Sequence, residues 1–232
     1  MAWIRVSRRV AAFSRELRSS HSYAFVLLVI LVSFAFAATA PDAPWSRGVL
    51  VLIECGALAV ALWTSRSGPL RIRPAPFVLL TVTIAIAVAE ILTDNKALTS
   101  IAGALGGVLV ITVIVAIVRG ITSEGTVSQR SVIGAICVYF QLGMLFLFAY
   151  GTVALLESGP FFAQGTDGTP ALRLYFSYVT LATVGYGDYT AASNLGHMLS
   201  VFEALMGQLY LVTVIAVLVS RMHFVPRKTG KP

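Results

Sequence analysis

One short stretch of this sequence has residue types and spacing that could do chemistry, the run T-V-G-Y-G-D at residues 183–188. Backbone carbonyls can replace the hydration shell of a bare ion only when successive carbonyls point toward one axis. That arrangement requires alternating backbone conformations, some with positive φ, which glycine adopts at little steric cost. Gly185 and Gly187 stand at alternate positions, as this requires. Thr183 can add a hydroxyl oxygen, and Val184 and Tyr186 can pack outward.

The run resembles the selectivity filter of potassium channels, in which T-V-G-Y-G loops surround the ion with main-chain oxygens. The resemblance implies a potassium-selective channel that binds K⁺ and needs no other cofactor. Since one copy supplies a quarter of a carbonyl ring, the family also implies a homotetramer, that is, three further copies of the chain as partners. The residues expected to bind K⁺ are Thr183, Val184, Gly185, Tyr186 and Gly187.

A short helix is predicted just before this run. Thr169 can cap its start and Pro170 suits the first helical position. The segment Ala171–Ala182 is too short to span a bilayer, so we expect a re-entrant helix that ends at Thr183. Non-helical backbone at membrane depth is tolerated only where it lines a water-filled path or is buried in protein. The carbonyl end of the helix carries partial negative charge, which would stabilise a cation.

The family resemblance also implies which residues support the filter. Aromatic residues on the pore helix surround the filter in this family, and Tyr175 and Phe176 stand at the matching positions. Phe176 cannot donate a hydrogen bond, so we expect a weaker aromatic cuff. Val179 occupies a position that is acidic in some bacterial members. Asp188 matches the aspartate that ties the outer end of the filter to the pore helix.

Composition indicates a polytopic helical membrane protein. The chain is 57% hydrophobic and only 12% charged, with a mean hydropathy of +0.86. Apolar runs near the length needed to cross a bilayer recur along it. We therefore expect a multi-pass protein of the cell membrane. The net charge of +7 comes from the ends and loops, which favours anionic membrane lipids over nucleic acid as partners.

Six transmembrane helices are predicted, with a re-entrant segment at about 157–190 before the last one, a layout similar to bacterial six-transmembrane potassium channels. The predicted spans are Tyr23–Thr39, Val49–Trp63, Phe77–Leu92, Leu98–Val118, Ser131–Leu156 and Leu195–Arg221. The corresponding domains are a basic amphipathic interfacial segment at 1–20, a four-helix sensor-like domain at 21–119, a cytoplasmic linker at 120–130, a pore domain at 131–222 and a short basic tail at 223–232.

The first segment leaves two alternatives open. Residues 1–20 could be a disordered basic tail, and the first span, followed by Ala38 and Ala40, also fits a signal peptide. Most Lys and Arg fall in the amino-terminal segment, the loop after the second span, the connection after the fourth and the tail. The positive-inside rule therefore places both termini in the cytoplasm and the filter loop on the outer side.

The fourth predicted helix lacks the residues of a voltage sensor. It has no Lys or Arg between Leu98 and Val118, and Arg119 follows at its cytoplasmic end. Each charge that crosses the field contributes about 2.3 kcal/mol per 100 mV, so we expect weak or no voltage dependence and a leak-like channel. Glu54 and Glu90 are expected near the outer ends of their helices, as partners for each other or for water.

Two pairs of small residues lie inside the predicted helices, one of glycines and one of cysteines. Gly103 and Gly107 have small-xxx-small spacing, which predicts the close approach of a neighbouring helix. Cys55 and Cys137 fall in apolar runs without nearby His, and are expected to be buried free thiols rather than metal ligands.

The last predicted span carries the expected inner pore. Gly207 lies where the family has its hinge glycine, and steps of four from it give Leu211, Ile215 and Val219. We expect these apolar side chains to line the inner vestibule, where a closed pore could exclude water. The alternative is that they face the fifth helix or lipid.

Glu203 is the acidic residue inside this last span, and an intramembrane carboxylate is a functional hypothesis by default. It could brace the pore helix and change protonation, or it could lie near the outer interface and reach water. On the first hypothesis, Glu203→Gln would alter open probability or its pH response.

Two other functions were weighed against a channel. A subunit of a potassium uptake transporter would carry several degenerate filter-like loops, whereas this chain has one strict filter. A membrane enzyme or sensor would need a cluster of catalytic or metal-binding side chains, which the sequence does not suggest, so no enzymatic activity is expected.

Overall fold

The computed structural model describes residues 22–64, 74–93, 96–123 and 129–221. The amphipathic segment predicted at 1–20, the arginines of the loop after the second helix and the tail at 223–232 lie outside these residues. The helices are α1 (Ser22–Thr39), α2 (Pro44–Thr64), α3 (Ala75–Thr93), α4 (Lys96–Ser123), α5 (Gln129–Leu156), α6 (Pro170–Leu181), α7 (Asn194–Leu209), a π-helical segment (Tyr210–Ile215) and α8 (Ala216–Arg221).

The described residues form an all-helical membrane protein. The helical segments long and apolar enough to cross a membrane are five: Trp45–Thr64, Ala75–Thr93, Leu98–Ser123, Arg130–Leu156 and Asn194–Val214. The apolar stretch Tyr23–Thr39 of α1 is shorter than these. A sixth span across the membrane therefore stays a prediction.

The predicted spans and the predicted short helix before the T-V-G-Y-G-D run are helical, but some of the predicted boundaries are wrong. α2 begins at Pro44 instead of Val49, because proline is well tolerated in the first turn of a helix. The Ser46 hydroxyl bonds the carbonyls of Pro41 and Ala43 just before that turn. α4 continues past Val118 to Ser123, where the hydroxyl of Thr122 bonds the Val118 carbonyl.

Close contacts between α4 and α5 involve a different glycine from the predicted pair. A Cβ added to Gly106 would lie 2.5 Å from the Phe148 ring, whereas one added to Gly103 would meet nothing within 4 Å and one added to Gly107 only a Phe148 carbon at 3.7 Å. Gly106 is thus the residue that lets the Phe148 ring pack onto α4. The small-xxx-small interpretation of Gly103 was wrong, because no atom of another described helix lies within 4 Å of where its Cβ would be.

The four-helix region and the pore region share one apolar core. Buried residues of α1, α2, α4, α5 and the α6 segment belong to a single cluster. Phe34 of α1 packs edge-to-face on Tyr178 of α6, with ring centroids 5.1 Å apart, and on Phe140 of α5 at 5.8 Å. The first helix of the four-helix region therefore contacts the pore helix directly.

The two glutamates of the four-helix region, Glu54 and Glu90, are both buried. Glu54 lies in the middle of α2, not near its outer end. Its carboxylate accepts hydrogen bonds from Ser33 Oγ at 2.5 Å and from Gln141 Nε2 at 3.0 Å. The expectation that Glu54 would be solvated or paired with Glu90 was therefore wrong, since α1 and α5 supply its partners.

Candidate ion-conducting site

The short helix before the filter is formed as predicted. The Thr169 side chain caps α6 by accepting a hydrogen bond from Leu172 N at 3.2 Å, and Pro170 is its first residue. Both are confirmed. The helix ends at Leu181, directly before the T-V-G-Y-G-D run, so its carbonyl end is aimed at that run.

The backbone of the run alternates in the way its glycines predicted. Positive φ angles occur at Thr183 (56°), Gly185 (56°) and Gly187 (76°), while Val184 and Tyr186 between them have negative φ. Alternation of this kind turns successive peptide planes so that their carbonyls face a common side. The positive φ of Thr183 was not predicted, because a β-branched residue rarely adopts it.

Carbonyl groups at the end of the short helix hold the strained backbone at the start of the T-V-G-Y-G-D run. Thr183 N donates to Thr180 O at 2.8 Å, while Val184 N and Gly185 N both donate to Val179 O, at 2.9 and 3.2 Å. A residue in such a backbone region costs about 1–3 kcal/mol and persists where its surroundings determine it. The amide groups at the inner end are therefore turned toward the pore helix.

The carbonyl groups of the run remain available. Within the residues that the structure describes, the carbonyls of residues 183–187 accept no hydrogen bond. All of residues 183–188 are exposed in the single chain. Backbone carbonyls are strong acceptors that are normally paired when they are buried. A row of unused, exposed carbonyls can therefore coordinate a cation.

Two aromatic side chains of the pore helix have different neighbours. Tyr175 donates its hydroxyl proton to Asp188 Oδ2 at 2.8 Å, and its ring stacks at 6.5 Å on that of Tyr186. The hydrogen bond to Asp188 raises the pKa of Tyr175 to about 12. Phe176 instead packs against Phe162 at 5.2 Å and other aromatic rings behind the pore helix.

A glutamine that the sequence analysis missed braces the outer end of the run. Gln164 donates from Nε2 to Asp188 O at 2.9 Å and accepts from Thr190 N at 3.3 Å. Ala163 N also bonds Thr190 O at 2.9 Å. The loop before the pore helix is thus joined to the segment after the filter. No sequence signal would have shown this, because a loop glutamine has no characteristic spacing.

Glu203 lies behind the pore helix with no exposed surface. Its carboxyl oxygens contact Ser177 Oγ of α6 at 2.5 Å and the Tyr150 hydroxyl of α5. The alternative that Glu203 reaches water at the outer interface is therefore wrong. Ser177 and Tyr150 were missed as its partners; a serine on an otherwise apolar side of the pore helix was the available signal.

Gly207 is placed by a close contact with the end of the pore helix. A Cβ there would lie 2.1 Å from the carbonyl oxygen of Leu181, so only glycine fits. Leu211 is exposed in the π-helical segment that follows. The backbone of Ile215 and Val219 belongs to the described helices, but their side chains lie outside the description, so the predicted vestibule is only partly placed.

The family model described as "Ion channel" matches residues 135–223. This part of the chain is similar to ion channel domains, which supports an ion channel. No curated protein and no solved structure matched the chain. The matched range contains most of α5, the short helix α6, the T-V-G-Y-G-D run and the helix that follows it.

Within residues 135–223, α5 and α7 differ in the share of their residues that the rest of the chain buries. In the span of α5, 61% of the residues are buried, compared with 11% in the span that includes α7. Large apolar side chains on α7, among them Met198, Leu205 and Leu209, are more than half exposed. The buried side of α7 carries Gly196, Glu203 and Gly207. The rest of α7 must be covered by something other than this chain.

Proposed function

We propose that this chain forms a passive, K⁺-selective channel in the cell membrane. The observation that carries the proposal is the T-V-G-Y-G backbone, with positive φ at alternate residues and a row of carbonyls without hydrogen-bond donors in the described chain. Thr183 to Gly187 would supply the K⁺ ligands, and Thr183 could add its hydroxyl.

The chemistry of the ligands favours a monovalent cation. Divalent Ca²⁺ sites in proteins commonly include carboxylates, whereas the unused oxygens here belong to neutral carbonyl groups. The nearest carboxylate, that of Asp188, is engaged by Tyr175. Neutral oxygens can replace the hydration shell of K⁺ without holding the ion too tightly to leave.

Four copies of the chain would close the pore. One strand of carbonyls covers only one side of an ion, and closed symmetry is the rule for soluble homo-oligomers and the expectation from the filter resemblance. The exposed apolar face of α7 offers the surface that neighbouring copies would cover, with lipid on the outside. Both termini would face the cytoplasm, as the distribution of Lys and Arg predicts.

The channel would be leak-like. α4 carries no Lys or Arg between Leu98 and Val118, and its neighbour α5 packs on it closely through Gly106. Movement of α4 across the field would therefore transfer almost no charge. Gating by voltage would need several charges at about 2.3 kcal/mol each per 100 mV.

Purified protein in liposomes tests this function. A K⁺ gradient should drive an ion flux that strongly prefers K⁺ over Na⁺ and that Ba²⁺ blocks saturably. Protein-free liposomes should show no such flux. Equal K⁺ and Na⁺ flux would contradict selectivity. Flux that stops without a coupled ion or nucleotide would instead support the transporter alternative.

A further inference from the structure

The pore helix is tied to both long helices of the channel domain through one buried carboxyl group. Glu203 on α7 lies 2.5 Å from Ser177 Oγ on the pore helix and also bonds the Tyr150 hydroxyl on α5. Ser177 Oγ lies 2.9 Å from the carbonyl oxygen of Gly143 on α5. Three helices therefore meet at a cluster of polar groups in an apolar surrounding.

Counting protons in this cluster separates two states. A serine hydroxyl has one proton to donate and can accept as well. If Glu203 is ionised, Ser177 must donate to it, and the bond from Ser177 to Gly143 O is lost. If Glu203 is neutral, its own proton goes to Ser177 Oγ, Ser177 donates to Gly143 O, and Tyr150 donates to the other carboxyl oxygen. Among the contacts that join Tyr150, Glu203, Ser177 and Gly143 O, only the neutral state makes each one a hydrogen bond. The longer contact of Tyr150 with Ser200 Oγ, at 3.5 Å, lacks a proton in both states, because Ser200 donates to Gly196 O.

The charged surroundings of Glu203 agree with the neutral state. The titratable groups that face it are Tyr139 and Tyr150 from α5 and Tyr178 from the pore helix, none of which is a cation. His197 on its own helix is exposed. Among the described residues, no Lys, Arg or His lies within ion-pair distance of Glu203. An unpaired buried charge is costly, and such groups usually neutralise instead.

We propose that Glu203 carries a proton and acts, as a neutral acid, as the positioning residue that fixes the pore helix behind the filter. The proposal rests on the proposed channel function. The proton completes a chain of hydrogen bonds from Tyr150 through Glu203 and Ser177 to Gly143, which joins α5, α7 and the pore helix. Its loss at alkaline pH would place a charge in this cluster and break the bond to α5.

The geometry predicts an unusual order among substitutions. In Glu203→Gln, the amide NH₂ can donate to Ser177 and the amide oxygen can accept from Tyr150, so K⁺ flux and K⁺ over Na⁺ preference should stay within about two-fold of the native protein, because every hydrogen bond is kept. Glu203→Ala leaves Ser177 and Tyr150 without this partner and should lower selectivity. The expectation that Gln alters open probability is thereby narrowed to the pH response alone.

The pH response has a matched control elsewhere in the chain. The native channel should lose K⁺ selectivity reversibly at alkaline pH, and Glu203→Gln should not. Glu54→Gln is the same change at a second buried glutamate, whose carboxyl oxygen also lies 2.5 Å from a serine hydroxyl, and it should keep the native alkaline response. An alkaline response that persists in Glu203→Gln, or disappears in Glu54→Gln, would overturn the assignment.

Infrared difference spectroscopy of the purified full chain at neutral pH tests the proton itself. The native-minus-Glu203→Gln spectrum should contain the carbonyl stretch of a protonated carboxylic acid, shifted in D₂O. A carboxylate band in its place, or a Glu203→Gln protein that fails to fold while the native protein folds, would overturn the proposal. Because this measurement needs no ion flux, it decides the proposal even if the liposome assay contradicts the proposed function.

Discussion

Residues 161–192 of the pore region are joined by hydrogen bonds between loops, whereas α1 to α4 meet mainly through apolar side chains. Ala192 N bonds Phe161 O at 2.8 Å and Gln164 bonds both Asp188 and Thr190. In the four-helix region, residues such as Ile30, Leu58 and Leu109 form the contacts. Directional bonds fix the position of a backbone more tightly than apolar contacts do, so the region that must hold carbonyls in place is the one that uses them.

The two regions also treat a buried glutamate differently. Glu54 accepts from Ser33 and from the amide of Gln141, whose Oε1 is buried without a hydrogen-bond partner among the described residues. By turning its amide, Gln141 can match either protonation state of Glu54. The Glu203 cluster has hydroxyls in place of that amide, and on our proposal Ser177 can bond both Glu203 and Gly143 O only when the proton is present. The partners, and not burial alone, decide whether a buried acid responds to pH.

The largest effect is expected from alanine at the filter. Gly185→Ala should abolish K⁺ flux, because alanine at φ 56° costs roughly 1–2 kcal/mol per copy and would shift the carbonyls proposed to bind the ion. The measurement is ⁸⁶Rb⁺ or K⁺ uptake into liposomes with matched amounts of folded protein.

The control for this variant is Gly56→Ala in α2 of the four-helix region. A Cβ at either glycine would meet nothing within 4 Å, so the two sites differ in backbone conformation and not in space. Gly56→Ala should keep native flux. An equal loss of K⁺ flux in both variants would show that the flux does not depend on the backbone conformation at Gly185.

A second pair compares close approach in the two regions. Gly207→Ala would put a Cβ 2.1 Å from Leu181 O, and overpacking of this kind costs about 1–3 kcal/mol. We expect a lower melting temperature and reduced flux. Gly103→Ala in α4, with nothing within 4 Å, should melt like the native protein. A native melting temperature for Gly207→Ala would mean that α7 does not touch the pore helix as described.

A smaller effect is expected at Gln164, which bonds the outer end of the T-V-G-Y-G-D run. Gln164→Ala removes the bonds to Asp188 O and Thr190 N, which are exposed to water, so K⁺ over Na⁺ preference should fall only about two- to five-fold. Gln164→Glu keeps the acceptor for Thr190 N, so its K⁺ over Na⁺ preference should lie between those of Gln164→Ala and the native protein. The readout is the reversal potential under mixed K⁺ and Na⁺. An unchanged potential in Gln164→Ala would remove this loop from the filter's support.

The smallest effect should come from the membrane voltage. Steady K⁺ conductance in planar bilayers should change little between −100 and +100 mV, because α4 carries no interior charge, and one charge would contribute about 2.3 kcal/mol per 100 mV. Steep activation would show that the four-helix region moves charge after all.

The sequence predicted the helices, the helix cap at Thr169 and the filter conformation, because each depends on residues close together in the chain. It did not predict contacts between distant residues, such as Ser177 with Glu203 or Gly207 with the Leu181 carbonyl. The π-helical segment Tyr210–Ile215 also went unpredicted. Its sequence Y-L-V-T-V-I fits an α-helix equally well, so nothing local indicates the π-helix. Tyr210, its first residue, bonds Ala135 O of α5 at 2.6 Å, a contact between distant residues.

The most direct test is an experimental structure of the assembled protein in K⁺, with ion positions identified by anomalous scattering from Tl⁺ or Rb⁺. The account predicts four chains around one axis, with a row of ions between the carbonyls of Thr183 to Gly187. A monomer, or an assembly whose T-V-G-Y-G run lies away from the axis with no ions beside it, would contradict it.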